Sequence, residues 1–409
     1  MNPSIETRRS WIVATLSLVA LAFSFGAIWI SVVALKPMAA ELGGGRSVPA
    51  LATALAWFGS GFGGIGMGLF ADRYGVRWTV MIGSVMIAIG LMLSSFGHTW
   101  QVYLGHGLFI GLLGNSGLNA PLNVYVSRWF DRRRGSALAL IASGQYIAGA
   151  LWPPIFDYAI GAIGWRETMF WFAIAEMLVL VPIAIFVLKR PPEVVAPAAA
   201  ATGAEKPKVF GWPPNLVFAM LALGAFFCCV PMSMPQAHLV ALCSDLGIQP
   251  THGAMMLSLL LGTAFLARQM WGAISDRIGG LFTLLIGSVW QFLAIAGFIY
   301  TQNEAGLFTV TAVFGMGFSG LVPAYVLVSR ELFAAREAGW RVPILLCMSG
   351  FGMASGGWFA GMLYDHFGYY APAFAAGLIF NFVHLCLIGT LVIKRTGWFD
   401  GARTAPAYG

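Results

Sequence analysis

The sequence GLFADRYGVR at residues 68–77 returns as GAISDRIGG at residues 272–280, an offset of 204 positions. Three further anchors repeat at almost the same distance: VSR at 126–128 and 328–330, a proline at 121 and 323, and Ser-Gly at 143–144 and 349–350. Four anchors at a nearly constant offset indicate that the chain arose by duplication of one unit. Each copy of the first motif follows an apolar run, so the repeated unit is largely apolar.

The composition predicts an integral membrane protein. Of the 409 residues, 59% are hydrophobic and only 10% are charged, and the mean hydropathy is +0.80, whereas a soluble domain carries about 25% charged residues. A membrane-spanning helix needs about 20 predominantly apolar residues. The sequence contains twelve such runs: 11–35, 48–71, 78–97, 101–126, 136–160, 166–188, 213–241, 253–274, 281–301, 305–329, 342–363 and 371–393. The five cysteines show no metal-ligand spacing, so we expect free thiols and neither a metal nor a cofactor.

One long polar segment, residues 189–212, interrupts the apolar runs. It is rich in Pro and Ala and carries Lys and Glu, which is the composition of a linker. The segment separates six predicted helices in residues 1–188 from six in residues 213–409. We therefore predict an all-α membrane protein with 12 transmembrane helices in two pseudo-symmetric six-helix bundles, joined by a cytoplasmic linker and ending in a short cytoplasmic tail.

The distribution of basic residues predicts the orientation. With the N-terminus in the cytoplasm, 19 of the 23 Lys and Arg residues fall in the termini and in loops on that side. The positive-inside rule then places both termini in the cytoplasm, and we expect the cytoplasmic (inner) membrane. These arginines are dispersed over short loops, so the net charge of +7 does not indicate a nucleic-acid partner. The lipid bilayer is the expected surrounding, and a monomer the expected functional unit.

Arg268 is the exceptional cation, because it lies inside the apolar run at 258–272 with no Asp or Glu within a helical turn. A cation there costs at least about 2.5–3.5 kcal/mol on insertion scales, and intramembrane charges usually mark functional sites. Arginine cannot lose its proton to avoid that cost. Arg268 lies eight residues before Asp276, about 12 Å along a helix, which predicts a position near the bilayer midplane. The alternative is an arginine paired with backbone carbonyls or a distant carboxylate.

The GxxxDRxGxR and GxxxDRxGG segments resemble the loop motif of the major facilitator superfamily, and the resemblance covers both halves of the chain. It implies alternating access around a central site, which fits internal repeats. Gly68 and Gly272 would permit close helix contact. The residues to which the resemblance gives a gating or conformational role are Asp72, Arg73, Arg77, Asp276, Arg277 and Arg128.

The segment WFDRRRGSA at 129–137, followed by Ser143-Gly144, resembles the start of helix 5 in the monocarboxylate transporter family and its bacterial oxalate:formate antiporter relatives. This resemblance implies that Arg268 binds the substrate anion. The chain departs from the family pattern by having Ala264 where an Asp usually stands, Trp29 near a usual Lys, and no cation in residues 342–363. One cation matches one carboxylate best, and the departures leave the proton relay of the family in doubt.

Polar residues that break the internal repeat are the other candidates for the site. Gln145-Tyr146 align with Phe351-Gly352, and Asn119 and Asn123 align with Leu321 and Tyr325. By resemblance, Tyr146 and Tyr325 fall near tyrosines that line the site in the oxalate relatives. Hydrogen bonds between helices are the alternative role for each of these residues. The predicted substrate-binding residues are Arg268, Tyr146, Tyr325, Gln145, Asn119 and Asn123, with Trp29 and Phe265 packing on an apolar tail.

The resulting hypothesis is a secondary active transporter of a small organic anion, expected to be a monocarboxylate, by proton-coupled symport. Three residues are candidates for carrying H⁺: Asp157, His238 and Glu176. A carboxylate exchanger or uniporter without proton coupling is one alternative, and a proton-driven drug or metabolite efflux pump is another. Efflux predicts an acidic residue in helix 1 or 4 and a Gly-Pro motif in helix 5, where the chain offers only Gly149 and then Pro153-Pro154. The sequence contains no cluster of catalytic groups of the kind that would indicate an enzyme.

Overall fold

The computed structural model describes residues 6–130, 133–189 and 208–396, and within them the chain is helical throughout, apart from one isolated bridge between Val209 and Trp212. The membrane helices are α1, Arg8–Val33; α2, Ser47–Tyr74; α3, Val76–Ser95; α4, Thr99–Leu104, Gly105–Asn115 and Ser116–Ser127 in direct succession; α5, Arg134–Ala142 and then 144–163; α6, 165–182 and then Ile183–Val187; α7, Pro214–Asp245; α8, Pro250–Ile278; α9, Gly280–Tyr300; α10, Glu304–Phe318 and Leu321–Leu332; α11, Ala335–Phe367; and α12, Ala371–Thr396. A short helix, Leu35–Glu41, follows α1.

Twelve membrane crossings follow from the helix lengths. In the described ranges, ten helices are long and apolar enough to span a membrane. One of them, Ser136–Val187, has 52 residues, which suffices for two crossings at about 20 residues each. It bends at Gly164, where φ is 81° and ψ is 164°. α4 supplies the twelfth crossing, because its π-helical middle, Gly105–Asn115, divides a full span into shorter pieces. The predicted fold class is thereby confirmed, whereas most of the predicted linker lies outside the described residues.

The duplication extends to side-chain contacts inside each bundle. Ser84 of α3 donates to Oε2 of Glu176 in α6 at 3.2 Å. At the matching positions of the second bundle, Ser288 of α9 donates to Oδ1 of Asn381 in α12 at 3.3 Å. Glu176 is fully buried at this contact within the first bundle. A hydrogen bond at matching positions therefore joins the third and sixth helices of each half.

The two bundles meet through α2 against α11 and α5 against α8. We call the end that carries Arg73, Arg128 and Arg277 the arginine-rich end, and the end that carries Arg46 and Asp245 the opposite end. At mid-height the rings of Phe62 and Phe351 lie 5.2 Å apart. Leu69, two turns further on the same face of α2, is 70% exposed. α2 and α11 therefore diverge toward the arginine-rich end.

The motif glycines make no close helix contact in this structure. Gly68 and Gly272 were expected to permit close helix contact, but a Cβ atom at either position would meet nothing within 4 Å. By contrast, a Cβ on Gly63, further from that end, would collide with the backbone of Leu112 in α4. Gly63, like Gly59, is thus a glycine of α2 that close packing against α4 requires. Gly68 and Gly272 face open space because the bundles are apart at the arginine-rich end.

Candidate functional site

The guanidinium of Arg268 lies in the seam between the bundles. Its Nη1 donates to the carbonyl oxygen of Ala142 in α5 at 3.3 Å, and its Cζ lies 5.1 Å from the ring centroid of Tyr146. The side chain is half-buried and makes no ion pair with any described carboxylate. Guanidinium carries five N–H donors, and this is its one hydrogen bond to the described part of the chain. Most of its donors therefore remain for an anion.

The helix interruption at Ser143 explains why the Ala142 carbonyl can accept this bond. In a regular α-helix, the N–H of Tyr146 would bond to the carbonyl four residues earlier, that of Ala142. Here it bonds instead to the carbonyl of Ser143 at 3.0 Å. The Ala142 carbonyl is released from the helical ladder and faces Arg268. The repeated Ser-Gly pair thus marks a break in α5 that gives the cation its protein partner.

One aromatic ring lies against the cation. Tyr146 is 4% exposed, and its ring lies 6.1 Å from that of Phe318 in α10. Phe265 lies one turn before Arg268 and is half-buried, as is Gln145, the neighbour of Tyr146. The structure therefore brings Arg268 and Tyr146 together at the seam between α5 and α8, and Gln145 and Phe265 are their neighbours along the same two helices.

The two predicted asparagines pair with each other. Nδ2 of Asn123 donates to the backbone carbonyl of Asn119 at 2.8 Å and approaches its side-chain oxygen at 3.4 Å. Both residues lie on α4 and are half-buried. This contact is within one helix, so their part in substrate binding stays a prediction.

Tyr325 lies inside the second bundle rather than beside Arg268. It is fully buried, and its hydroxyl hydrogen-bonds with Nε2 of His384 in α12 at 2.7 Å. Nδ1 of His384 in turn bonds with Ser288 at 2.7 Å. A Cβ atom on Gly224 of α7 would lie 2.9 Å from the Tyr325 hydroxyl. The Tyr325 hydroxyl is therefore part of a hydrogen-bonded network that joins α9, α10 and α12. This network packs against Gly224 of α7.

A small cavity lies between the bundles, and Trp29 of α1 forms part of its wall. Its volume is about 20 Å³ and its walls come from α1, α2, α7 and α11, two helices from each bundle. Trp29 lines it, is 4% exposed, and packs against Gly149 of α5, where a Cβ would lie 3.0 Å from the indole Cε2. Gly149 follows Ala142 by seven residues, roughly 10 Å along the helix. Arg268 and Trp29, which lines the cavity, therefore contact α5 about two turns apart.

Arg46 closes the opposite end. Its Nη2 lies 2.6 Å from Oδ1 of Asp245 and its Nη1 2.7 Å from the Tyr370 hydroxyl, while its Cζ stands 3.7 Å from the ring centroid of Tyr364. Lys36 also pairs with Asp245, at 3.1 Å. Burial lowers the pKa of Arg46, but the contacts of Arg46 with Asp245 and Tyr370 together outweigh that effect and raise the pKa above its ordinary value. Arg46 thus remains a cation that joins the first bundle to the second. We call Arg46, Asp245 and Tyr370 the Arg46 latch.

Two aspartates form a pseudo-symmetric pair of cross-bundle contacts at the same end. Asp365 of α11 accepts the backbone N–H groups of Arg46 and Ser47, at 2.7 and 2.9 Å, where α2 begins. Asp157 of α5 accepts the hydroxyl of Thr251 at 2.9 Å, where α8 begins. A carboxylate at a helix N-terminus is favoured by the helix dipole. Asp157, a predicted proton carrier, is therefore held as a helix-end contact between bundles.

His238, a second proton candidate, is connected to the Arg46 latch. Its Nε2 lies 2.7 Å from the carbonyl oxygen of Gly357, and its Nδ1 lies 3.0 Å from the Tyr370 hydroxyl. Nε2 must be the donor to that carbonyl, so in a neutral ring Nδ1 accepts the Tyr370 proton. The Tyr370 oxygen then accepts from Arg46. One chain of hydrogen bonds thus runs from α7 and α11 to the start of α2.

The predicted gating residues all lie at the arginine-rich end and are exposed. Asp72 and Arg128 pair at 3.2 Å, and both belong to the first bundle. The side chain of Arg73 stands over the ring of Tyr74, with its Cζ 5.5 Å from the ring centroid. The bundles are separated at this end. Its surface also carries Arg77, Asp276 and Arg277.

Sequence reasoning missed the Arg46 latch. A signal was present, because Arg46 is one of only three basic residues on the side opposite most of the positive charge. Asp245 ends an apolar helix on that same side. Their pairing could have been proposed from this shared position, but not its burial or the stacking on Tyr364.

Comparisons with known proteins give a consistent result. The sequence profile of the Major Facilitator Superfamily matches residues 17–240 and 221–397. Monocarboxylate transporter 13 of Bos taurus is 26% identical over 86% of this chain and 80% of its own length. MFS-type transporter 1 of Ophiocordyceps sp. is 24% identical over 68% of this chain, and the match spans only 61% of that relative.

Solved structures agree on the fold. A bacterial homolog to the human lysosomal transporter Spinster, in an inward-facing and occupied conformation, superposes with a TM-score of 0.71 at 18% identity, over 98% of each chain. The nucleoside transporter NupG gives a TM-score of 0.73 at 16% identity, over 93% of this chain and 99% of its own. At these identities the likeness concerns the fold alone.

Proposed function

The chain belongs to the major facilitator superfamily, and from that premise we propose that it transports a small organic anion, a monocarboxylate, by alternating access. The observation that carries the proposal is Arg268, a half-buried cation in the seam between the bundles whose one hydrogen bond to the described residues goes to the Ala142 carbonyl. The resemblance of the chain to monocarboxylate transporter 13 over most of both lengths supports the same substrate class.

The chemistry of Arg268 favours one carboxylate. A planar guanidinium can hold a carboxylate by two parallel N–H···O bonds, which are stronger than neutral hydrogen bonds. An anion would offset the cost of a cation at this depth. The Tyr146 ring covers one side of the cation, and the apolar surroundings of Phe265 suit an alkyl or aromatic tail. Because α8 carries the arginine and α5 its carbonyl partner, an anion bound there contacts the seam that must move.

We further propose that the arginine-rich end is cytoplasmic, as the positive-inside rule favours. The structure is then the inward-facing state, closed at the opposite end by the Arg46 latch and the two aspartate contacts. Opening to the other side requires breaking those contacts and closing the arginine-rich end. Gly68 and Gly272, which face open space here, would then come into close contact, with Asp72 and Asp276 positioned to latch it.

Proton symport is the coupling mode we propose, with His238 as the carrier because it is hydrogen-bonded into the Arg46 latch. Protonation would make both ring nitrogens donors, and the ring could no longer accept the Tyr370 hydroxyl. Exchange or uniport is the competing mode. It is favoured by Ala264, which stands one turn before Arg268 and supplies no proton acceptor beside the site.

The substrate class is tested by thermal unfolding of the purified protein with a panel of monocarboxylates, dicarboxylates and the neutral amides of the same acids. We expect some monocarboxylates to raise the melting temperature of the wild type, and the amides to have no effect. Arg268→Gln should lose this response, whereas Arg330→Gln, the same change on an exposed arginine at the end of α10, should keep it. Equal stabilisation of Arg268→Gln, or stabilisation by amides alone, would contradict the proposal.

A further inference from the structure

Two cations of the first bundle hold one carboxylate oxygen of the second. Oδ1 of Asp245 lies 2.6 Å from Nη2 of Arg46 and 3.1 Å from Nζ of Lys36. Lys36 belongs to the short helix after α1, and Arg46 immediately precedes α2. Asp245 ends α7. When the bundles part at this end, both cations therefore stay with the first bundle, while the carboxylate leaves with the second.

The other polar contacts of these two side chains also lie across the interface. Nζ of Lys36 donates to the hydroxyl of Ser244 at 2.8 Å. Arg46 donates to the hydroxyl of Tyr370 at 2.7 Å, and its guanidinium lies over the ring of Tyr364. Among the described residues, neither side chain makes a hydrogen bond or ion pair within its own bundle. Opening this end therefore removes every polar partner that Lys36 and Arg46 have in the closed state.

The short helix offers no carboxylate to replace Asp245. Its one acidic residue is Glu41, which pairs instead with Arg166 of α6 at 2.9 Å. Because Lys36 and Arg46 both contact the same oxygen atom, their charges are close to each other, and an anion between them offsets their repulsion. A dissolved anion is therefore a fitting partner for the two cations once Asp245 has withdrawn.

The chemistry of the contact favours a carboxylate as that anion. The group held in the closed state is itself a carboxylate, and hydrogen bonds between ionised donors and acceptors are shorter and stronger than neutral ones. The side chain of Lys36 is 40% exposed and that of Asp245 is 23% exposed. The pair of cations therefore borders the surface at this end, where a carboxylate can arrive from water without passing Arg268.

We infer that Lys36 and Arg46 form a second anion site, which binds a dissolved carboxylate when this end opens and holds it open by competing with Asp245. In the closed state Asp245 stands in for that carboxylate. The inference rests on the proposed alternating access but not on the substrate assigned to Arg268. A ligand that binds only the open state, at about ten times its dissociation constant, raises the ratio of open to closed protein about tenfold.

The test measures the open fraction from distances between spin labels on α1 and α7 at the opposite end, in full-length Arg268→Gln protein, so that the central site does not contribute. Sodium acetate replaces sodium chloride at constant ionic strength and pH, because salt alone screens exposed charges. We expect acetate to raise the open fraction until the site is saturated. Neutral acetamide, added at the same concentrations to the chloride buffer, should leave the open fraction unchanged.

A second substitution in the same protein assigns the effect to the site. Lys36→Gln should remove most of the response to acetate. Arg166→Gln, which removes a cation at the same end but leaves the Arg46 latch intact, should keep it. If Lys36 only helped to close this end, Lys36→Gln would raise the open fraction without acetate and leave the response to acetate in place. The comparison of acetate with acetamide needs no change at Lys36, so it decides the point even if that variant does not fold.

The outcomes separate this inference from the proposed function. If acetate acts no more strongly than chloride, or equally with and without Lys36, the inference is wrong, while anion transport through Arg268 stands. A response that the wild type shows and Arg268→Gln lacks would assign the effect to the central site and contradict the second site. If this end stays closed in every buffer and also in Arg46→Gln, alternating access and the inference fall together.

Discussion

Nη2 of Arg46, at the start of α2, lies 2.6 Å from Oδ1 of Asp245, at the end of α7. The contact joins the two bundles, and Arg46 is 7% exposed. Removing one partner of a buried ion pair usually costs several kcal/mol, because the other charge is left uncompensated. The state closed at this end is therefore stabilised by the pair, and the state open at this end is not.

Arg46→Gln should shift the population toward the state open at the opposite end by roughly tenfold or more, since each 1.4 kcal/mol is a factor of ten. The shift can be measured as the distance between spin labels placed on α1 and α7 at the opposite end, near the Arg46 latch. Arg166→Gln is the matched control, because Arg166 pairs at 2.9 Å with Glu41 of its own bundle. An equal shift in both variants would mean that the loss of charge, and not the cross-bundle contact, opens this end.

The pH dependence of this end should follow from His238. A neutral ring accepts the Tyr370 hydroxyl through Nδ1, whereas a protonated ring cannot, and its charge is repelled by Arg46 on the far side of Tyr370. Asp365 is the nearby carboxylate that opposes this repulsion. Lowering the pH should therefore increase the open population of the wild type, and His238→Gln should remove that dependence. The same spin labels measure it, and an unchanged pH profile in His238→Gln would exclude this residue.

Tyr146 should contribute its ring more than its hydroxyl. The Arg268 Cζ lies 5.1 Å from the ring centroid, and such cation–π contacts contribute about 0.5–2 kcal/mol. Tyr146→Phe should then bind a monocarboxylate nearly as well as the wild type, and Tyr146→Leu about 3- to 30-fold more weakly. Titration calorimetry decides the point. A strong loss in Tyr146→Phe would indicate instead that the phenol donates directly to the substrate.

Gly68 should matter for closure and not for stability. A Cβ at Gly68 meets nothing within 4 Å, so Gly68→Val should leave the melting temperature nearly unchanged while slowing transport, because the arginine-rich end can no longer close. Gly63→Val provides the contrast, since a Cβ there collides with the Leu112 backbone and should lower the melting temperature. A Gly68→Val protein that transports at the wild-type rate would rule out close contact at this position.

The fold was predictable from the sequence because helix length, apolarity and duplication are local or periodic properties. The positions of Arg268 and Tyr146 could also be predicted, since an isolated charge in an apolar run and a break in the repeat are visible along the chain. What remained inaccessible were partners far apart in sequence. The Tyr325 hydroxyl bonds with His384, 59 residues away, and nothing in the local pattern distinguishes this from a residue lining the pathway.

The same limit applies to Gly68 and to Trp29. The sequence predicts close contact at Gly68, but the parting of the bundles in one state of a transport cycle is not encoded in a single motif. For Trp29, an apolar neighbourhood predicts packing on a substrate tail. The structure packs its indole against Gly149 of α5, a contact between residues far apart in the chain that no local pattern predicts.

The central claim is that Arg268 binds the transported anion. Its most direct test is uptake of a radiolabelled monocarboxylate, chosen as the strongest stabiliser of the wild type, into proteoliposomes containing the wild type, Arg268→Gln or Arg330→Gln at matched protein content. The account predicts uptake near the level of empty liposomes for Arg268→Gln and close to the wild-type level for Arg330→Gln, with both variants folded by size-exclusion chromatography. Wild-type uptake by Arg268→Gln would contradict it.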